Sequence, residues 1–263
     1  MKRIQSRDNP FYKGLKRLAE SGRERRKSGH TLLDGVHLVE AYEKVYGPVE
    51  SLIVAESALA GGEIAAYVEG REFLILGDAL MRDLGLVDTP SGLLAVAAMP
   101  AAPVAVDLEK DAILLDGVQD PGNVGTLLRT AAAAGIGQAL LGPGCASPWS
   151  PKVLRAGQGA HFVLAIHEDA DLAAFMADYR GTTAVTCLDG AISLYQADWN
   201  GAVAWVFGAE GQGVRRELIA PAKLKIRIPM PGTVESLNVG AAAAICLFEM
   251  VRRRAAEVPG DLA

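Results

Sequence analysis

Residues 112–134, AILLDGVQDPGNVGTLLRTAAAA, contain an apolar strand, a glycine-containing turn and an amphipathic helix in succession. The pattern predicts a buried strand over 112–115, a turn over 117–123 and a helix over 124–134 that Gly135 closes. Further buried strands are predicted at 139–141, 163–166, 202–207 and 225–228, and a last helix at about 238–254. Strands that alternate with helices predict an α/β fold with a mainly parallel sheet covered on both faces.

The predicted helix after the turn has one apolar face. Its apolar residues at i, i+3, i+4 and i+7 are Val124, Leu127, Leu128 and Ala131. At about 100° per residue, Arg129 lies roughly 140° from the centre of this face and is expected to point away from the core. Asn123 is predicted to be the N-cap, because its side chain can accept a hydrogen bond from a free amide of the first turn.

The first hundred residues predict a separate, small α/β layer structure. Strands are predicted at 31–33, 51–55, 73–76 and 92–98, and helices from about Asn9, at 36–44 and at 79–84. The stretch MPAAP at 99–103 has two prolines and no periodic pattern, so it is the best domain boundary in the chain. We therefore predict two domains joined there.

Composition excludes several classes of protein. The 263 residues are 50% hydrophobic and 22% charged, which argues against disorder, collagen and coiled coil.

No apolar run approaches the roughly 18 residues of a membrane-spanning helix, and no apolar signal region follows the start, so we expect a cytoplasmic protein. Three scattered cysteines predict buried, reduced thiols, and the four histidines lack zinc-site spacing, so no metal is expected.

Charge is distributed unevenly along the chain. The net charge is −5, but residues 1–30 contain ten Lys and Arg against three acidic residues, so this segment is +7 and the remainder −12. A basic face on an acidic protein can follow a phosphate backbone, because phosphate contact depends on the local potential. A solvated helix end explains the segment equally well, so nucleic-acid binding stays open at this point.

Two more glycine-containing turns follow predicted strands. They are VFGAEGQG at 206–213 and IPMPGTVESLN at 228–238. Both are expected at the carboxyl ends of parallel strands, where open α/β sheets bind their ligands. Neither turn has G-x-G-x-x-G spacing and the chain has no Walker sequence, which argues against nicotinamide and P-loop chemistry.

The three turns together resemble the motifs of a known family. Asn123-x5-Arg129-Thr130-Ala131, then Phe207-Gly208-x-Glu210-Gly211, then Ile228-Pro229-Met230-x-Gly232 with Ser236-Leu237-Asn238-Val239, are similar in order and spacing to the SpoU branch of the SPOUT methyltransferases. The resemblance covers about residues 107–256. It implies an RNA ribose 2′-O-methyltransferase that uses S-adenosylmethionine. The first hundred residues resemble, more loosely, the L30e-like substrate-binding domain of many members.

The resemblance implies a domain order and an architecture. Residues 1–99 are expected to form the L30e-like RNA-binding domain, 100–106 a linker, 107–257 the SPOUT methyltransferase domain and 258–263 a tail. The second domain is expected to have a C-terminal trefoil knot, an exception to the rule against knots. A homodimer with its active site near the subunit interface is also implied.

The same resemblance assigns candidate site residues. Those implied for cofactor binding are Gly208, Gly211, Ile228, Met230, Leu237 and Asn238. Those implied for catalysis and for holding the loops and the ribose are Arg129, Asn123, Glu210, Ser236 and Asn238. Those considered for RNA contact are Lys2, Arg3, Arg7, Lys13, Arg17 and Arg129. Alternatively, Ile228, Met230 and Leu237 are core residues, and Asn123 and Asn238 only cap helices.

Arg129 is the principal catalytic candidate. In this family the equivalent arginine is proposed to deprotonate the 2′-hydroxyl, but a guanidinium with a pKa above about 12 is a poor base. We favour a role in which Arg129 binds a phosphate oxygen and orients the ribose, while that phosphate or a water accepts the proton.

Two positions depart from the family pattern, and the substrate stays open. Gly240 stands where members often have Ser, which predicts tighter helix packing there, and Ala209 stands where many have Asn. Structured ribosomal RNA is the favoured substrate because a compact basic module suits recognition by shape and phosphate contact. The alternatives are a transfer RNA 2′-O-methyltransferase, an enzyme that methylates a base or a protein, and an inactive RNA-binding relative.

Overall fold

The computed structural model describes residues 2–86, 89–103, 105–188, 190–234 and 236–257, and these residues form two compact units. The first unit contains residues 1–101 and 147–162, and the second contains 102–146 and 163–263. The predicted tail at 258–263 lies outside the described residues, as does Val104 of the predicted linker. No helix in the described part of the chain is long and apolar enough to cross a membrane.

The first unit is a five-stranded sheet with helices. In chain-order numbering its elements are β1 Arg3–Ile4, α1 Pro10–Glu20, α2 Gly22–Ser28, β2 His30–Asp34, α3 Val36–Tyr46, β3 Ser51–Ala55, a 3₁₀ helix Glu56–Ala60, α4 Glu63–Tyr67, β4 Leu74–Leu76, α5 Asp78–Asp83, β5 Leu93–Ala98, α7 Pro151–Gly157 and a 3₁₀ helix Ala160–Phe162. The strand order is β1-β4-β3-β5-β2, with β5 antiparallel to both its neighbours. The predicted α/β layer structure is therefore confirmed.

The segment 147–162 packs in the first unit, although the sequence predicted it within a continuous second domain. The Arg155 guanidinium donates to the buried Asp34 carboxylate (2.7 Å), and Thr31 Oγ1 donates to the Trp149 carbonyl (2.7 Å). Leu154 belongs to the same hydrophobic cluster as strand β5. Along the chain this segment follows a strand of the second unit, and the sequence carried no signal that its side chains pack elsewhere.

The second unit is built on a seven-stranded sheet in which every pairing of described strands is parallel. Its elements are β6 Ala112–Asp116, α6 Pro121–Ala133, β7 Gln138–Leu141, β8 Ala165–His167, α8 Leu172–Asp178, β9 Thr182–Thr186, β10 Ile192–Ser193, β11 Val203–Gly208, α9 Arg216–Ile219, β12 Leu224–Arg227 and α10 Val239–Glu257. The order is β10-β12-β9-β11-β6-β7-β8. The prediction of a mainly parallel sheet is confirmed.

Parallel pairing fixes where the three motifs lie. Strands β6 and β11 are neighbours and end in register, with Asp116 opposite Gly208. Strand β12 lies on the other side of β9 and runs in the same direction. The loops that follow β6, β11 and β12 therefore leave the sheet at its carboxyl edge.

Three details of the sequence prediction need correction. Val163 was assigned to a buried strand, but it is exposed, and β8 begins two residues later at Ala165. Strand β9 and helices α7 and α8 were not predicted. The prediction of reduced thiols is confirmed, since all three cysteines are free, but only Cys246 is buried, and Cys145 and Cys187 are half-buried.

Candidate active site

Asn123 hydrogen bonds to the other two motif loops at once. Its Nδ2 donates to Oε1 of Glu210 (2.7 Å), and its Oδ1 accepts from Nδ2 of Asn238 (2.9 Å). A carboxylate can only accept, so the amide nitrogen of Asn123 must face Glu210 and its oxygen must face Asn238. The loops after β6, β11 and β12 thus meet at one side chain.

Asn123 reaches both neighbours because it is not the N-cap of α6. The N-cap is Asp120, whose carboxylate accepts from the Asn123 backbone N–H (2.8 Å), and Pro121 occupies the first helical position. The prediction of Asn123 as N-cap was wrong because Asp-Pro is the stronger start signal and moves the helix start three residues earlier. As a first-turn residue, Asn123 keeps its side chain for the loops.

Asn238 performs both of the roles that the sequence left open. Its Oδ1 accepts from the backbone N–H of Gly240 (2.9 Å) and of Ala241 (3.3 Å), which caps the start of α10. Its Nδ2 is left to donate to Asn123. The predicted cap is therefore confirmed, and the same residue also fixes the third loop against the first.

Glu210 is held as a carboxylate. Partial burial acts to raise its pKa, but the Asn123 amide and the backbone N–H groups of Gln119 and Asp120 act against this and lower the pKa below its ordinary value. The charge of Glu210 therefore holds the turn of the first motif through several donors.

The second loop folds back upon itself. The Gly213 N–H donates to the Ala209 carbonyl (2.8 Å), and Gly213 has a φ of +67°. A Cβ on Gly208 would lie 2.1 Å from the Gly213 carbonyl carbon, so only glycine fits there. The loop itself therefore packs against the Cα of Gly208. Gly211, by contrast, has no heavy atom within 4 Å of an added Cβ.

The sequence prediction missed an ion pair that joins the first and second loops. The buried Asp116 carboxylate accepts from Arg215 Nε (2.7 Å) and from the Arg215 backbone N–H (2.8 Å). The hydrogen bond to Asp116 raises the pKa of Arg215. A charged residue at the end of the apolar strand 112–116 was the signal, because a buried carboxylate needs a partner.

The third loop is open on its exposed side. Among the described residues, no peptide group of 229–234 or 236–237 forms a hydrogen bond with another group. Val234 is 64% exposed and Leu237 38%, so the alternative that Leu237 is a core residue was wrong, while Ile228 and Met230 are half-buried. Ser236 is also exposed. The loop presents free peptide groups and apolar side chains together.

Arg129 points outward from α6, as predicted. The four residues of the predicted apolar face are all buried, whereas Arg129 is exposed. Within the described part of the chain it forms no ion pair and no hydrogen bond, so no hydrogen bond joins it to Asn123, Glu210 or Asn238. A Cβ on Gly240 would lie 2.9 Å from Thr126 Cγ2, so α10 lies close against α6 and the tight packing expected at Gly240 is confirmed.

Four of the cations considered for RNA contact are engaged with acidic side chains. Arg3 pairs with Glu56 (3.0 Å), Arg7 with Asp83 (2.7 Å), Lys13 with Asp8 (3.0 Å) and Arg17 with Glu24 (3.9 Å). Lys2 is exposed next to β1, at the edge of the sheet opposite β2. Arg3, Arg7, Lys13 and Arg17 therefore each have a carboxylate beside them, and their contact with RNA stays a prediction.

A known family matches the part of the chain that contains the three motif loops. Residues 111–248 match the SpoU rRNA Methylase family, and residues 9–95 match the MRM3-like substrate binding domain. The chain belongs to the SpoU rRNA methylase family. The family match spans the strands and loops that carry all three motifs, and the second match lies in the first unit.

Individual relatives of this SpoU methylase cover almost its whole length. The 23S rRNA (guanosine(2553)-2′-O)-methyltransferase RlmP of Bacillus subtilis (strain 168) is 31% identical over 253 residues, which is 95% of this chain and 99% of that protein. A crystal structure of an RNA 2′-O ribose methyltransferase aligns with a TM-score of 0.83, 28% identity and coverage of 96% and 99%. An AdoMet-bound rRNA methyltransferase from Sinorhizobium meliloti aligns with a TM-score of 0.77, 27% identity and coverage of 96% and 98%.

Proposed function

We propose that this SpoU methylase transfers the methyl group of S-adenosylmethionine to a ribose 2′-hydroxyl of ribosomal RNA. The observation that carries the proposal is the Glu210–Asn123–Asn238 chain of hydrogen bonds, which joins the three motif loops at the carboxyl edge of the sheet. Relatives that align over nearly the full chain are named as 2′-O-methyltransferases of rRNA or RNA.

The third loop suits the adenosine part of the donor. Adenosine is bound by peptide groups that accept and donate at the base edge and by apolar side chains that contact its face. The exposed peptide groups of 229–234 and 236–237, with Leu237 exposed and Met230 half-buried beside them, supply both. When bound, the donor supplies an electrophilic methyl group on a sulfonium. We assign Gly208, Gly211, Ile228, Met230, Leu237 and Asn238 to donor binding.

The residues around the loops then have to align the acceptor and allow for its proton. Alignment of the attacking oxygen is the chief requirement of an in-line displacement. We assign Arg129 to binding a phosphate oxygen of the substrate with its planar guanidinium, which orients the neighbouring ribose. The 2′-hydroxyl proton passes to that phosphate or to water, since a guanidinium does not act as a base at neutral pH. Asn123, Glu210, Ser236 and Asn238 position the loops and the ribose.

Ribosomal RNA is preferred over transfer RNA because RlmP, which aligns from end to end, is named for 23S rRNA. We further propose that the first unit binds the RNA, that the second forms a trefoil knot, and that the enzyme acts as a homodimer with the active site near the subunit interface. Exposed Val234 and Leu237 give the third loop apolar surface for a ligand or a second subunit. An rRNA substrate implies a cytoplasmic enzyme.

Tritium transfer tests the proposal. The full chain is incubated with methyl-tritiated S-adenosylmethionine and either ribosomal or transfer RNA from a strain that lacks the gene. Label in rRNA that survives alkaline digestion as a dinucleotide establishes ribose methylation, because a 2′-O-methyl group blocks cleavage of the adjacent phosphodiester. Label only in tRNA overturns the rRNA assignment, and alkali-labile label or none overturns ribose methylation.

A further inference from the structure

Helix α2 of the first unit has one strongly basic face. Arg23, Arg26 and Lys27 are exposed and follow i, i+3, i+4 spacing, which places them within about 100° of one another around the helix. Arg25 lies on the opposite side and is buried, and its guanidinium donates to the carbonyls of Leu18 (2.7 Å) and Ala19 (3.2 Å) at the end of α1. The structure thus divides the four cations of α2 into one internal and three external groups.

In the part of the chain that the structure describes, the three external cations have no acidic partner. Among the described residues, Arg23, Arg26 and Lys27 form no ion pair, and the one acid of the helix, Glu24, lies nearest to Arg17 (3.9 Å). The cations of β1, of α1 and of the turn between them differ in this respect, because Arg3, Arg7 and Lys13 are each paired with a carboxylate. The positive potential of the amino-terminal segment is therefore concentrated on α2.

Two guanidinium groups also approach each other at the start of this helix. The position of a Cβ on Gly22 lies 3.5 Å from Arg25 Nη2 and 3.7 Å from Arg26 Nη1. Both guanidinium groups therefore lie beside the start of the helix. Gly22 has no side chain that would block the approach of an anion.

We propose that the Arg23–Arg26–Lys27 face of α2 binds the phosphodiester backbone of the substrate RNA. The proposal rests on the proposed function and names the surface of the first unit that contacts the substrate. A free cation gains a phosphate contact and releases condensed counterions, whereas a paired cation must first give up its carboxylate. Arg26 and Arg23 carry planar guanidinium groups, which suit bidentate contact with phosphate oxygens.

Salt dependence distinguishes this surface from the paired cations. Each phosphate contact contributes about 0.7 to 0.9 to the slope of log K against log salt, so three contacts contribute about 2 to 3. The probe is in vitro transcribed, unmodified 23S rRNA, and binding to the full chain is measured by filter retention over a series of KCl concentrations. Three variants are compared with the unmodified protein: R23Q/R26Q/K27Q, the equally charged R7Q/K13Q/R17Q, and the conservative R23K/R26K.

The α2 triple variant is expected to bind about 100-fold more weakly at low salt with a slope reduced by about 2 to 3, which corresponds to three lost contacts. The R7Q/K13Q/R17Q variant is expected to lose less than threefold, and R23K/R26K to keep the slope because it keeps the charge. Equal losses in both triple variants, or an unchanged slope in the α2 variant, would overturn the proposal.

Two further measurements distinguish a failure of this proposal from a failure of the proposed function. They are the affinity for S-adenosylmethionine and the single-turnover rate of methyl transfer at saturating RNA. The α2 triple variant is expected to bind S-adenosylmethionine normally and to recover its transfer rate at saturating RNA, since the changes are in the first unit. If the unmodified protein binds the RNA through α2 but methylates no RNA, the proposed function fails and the surface stands. If it methylates rRNA and the α2 variant binds RNA normally, the proposal that α2 binds RNA is wrong and the proposed function is supported.

Discussion

The Asn123 amide donates to the Glu210 carboxylate at 2.7 Å although the two residues are 87 positions apart in the chain. Asn123 belongs to the first turn of α6 and Glu210 to the loop after β11, so this bond joins the ends of two neighbouring parallel strands. Asn238, which is 115 positions from Asn123 in the chain, extends the connection to the third loop. One small amide therefore fixes the relative positions of all three motifs.

Replacing Asn123 by Ala is expected to weaken donor binding and slow methyl transfer by about 10- to 100-fold, because both loop contacts are lost. Stability should change little, since the side chain is near the surface and α6 keeps its Asp120 cap. Calorimetric titration with S-adenosylmethionine and a transfer assay check this. The exposed Asn200 of the same unit provides the matched control, Asn200→Ala, and equal behaviour of the two variants would contradict the role of Asn123.

Arg129→Lys keeps the charge but loses the planar fork of donors. Single-turnover transfer is expected to slow by about 100-fold, because a misoriented ribose loses the alignment needed for displacement. Arg180→Lys is the control, since Arg180 is also an exposed arginine of the second unit and pairs only with Glu109 among the described residues. A rate for Arg129→Lys within threefold of the unmodified enzyme would remove Arg129 from the mechanism.

Gly208 and Gly211 offer a pair of substitutions with opposite expectations. Gly208→Ala forces a Cβ against the Gly213 backbone and is expected to destabilise the second unit by at least about 2 kcal/mol. Gly211→Ala meets open space, so the unfolding free energy should stay within about 0.5 kcal/mol of the original. Urea unfolding measures both. If Gly211→Ala alone lowers donor affinity at unchanged stability, the donor approaches that glycine closely.

The Asp116–Arg215 pair is expected to respond asymmetrically to mutation. Arg215→Gln leaves a buried carboxylate with only the backbone donor and should cost about 2 to 3 kcal/mol of unfolding free energy. Asp116→Asn should cost less, because the Arg215 side chain is 51% exposed and water can solvate it. Urea unfolding of the two single variants and the double variant gives the coupling free energy between the two side chains. Equal costs for the two single changes would contradict the buried position of the charge.

His161 is expected to make stability fall in acid. Burial lowers its pKa to about 4, well below the ordinary value near 6.5, so the folded chain holds His161 neutral while the unfolded chain binds a proton. The neutral His161 contributes fully to the free energy of unfolding above pH 6.5. This contribution, roughly 3 kcal/mol, is lost as the pH falls from about 6.5 towards 4.

Trp149 reports on this transition because its ring contacts the His161 ring, with centroids 5.5 Å apart. Urea unfolding followed by tryptophan fluorescence at pH 7 and pH 4.5 compares the original protein with His161→Leu. Other groups titrate in both proteins and cancel in the comparison. Between pH 7 and pH 4.5 the unfolding free energy of His161→Leu should fall by about 2 to 3 kcal/mol less than that of the original protein. An identical fall in the two proteins would exclude His161 as the cause.

The sequence predicted the parts of the fold that have a strong local pattern. Strand β3 was predicted with its observed bounds, and the apolar face of α6 is buried as expected, because period and composition agreed at both places. Strand β9 was missed because three of its five residues are threonine, which interrupts the apolar run that indicates a buried strand. It is nevertheless an interior strand of the sheet. Helix α7 was missed although Ser150 caps it and Pro151 occupies its first position, which are both signals of a helix start.

The candidate site was predictable as a set of loops but not as a set of contacts. Motif order and spacing placed the three loops at one edge of a parallel sheet, which the strand pairings confirm. The Asp116–Arg215 pair spans 99 positions, so the charged end of strand β6 indicated that a partner is needed but not that the partner is Arg215. The basic segment was taken as one surface, because the sequence does not show which cations are already paired with carboxylates.

The most direct test of the account is a crystal structure of the full chain with S-adenosylmethionine bound. We expect density for the donor between the loops at 208–213 and 228–238, with its methyl group facing the surface that Arg129 of the same or of a second subunit can reach. Donor density elsewhere in the molecule, or three motif loops that no longer meet through Asn123 when the donor is present, would contradict the assignment.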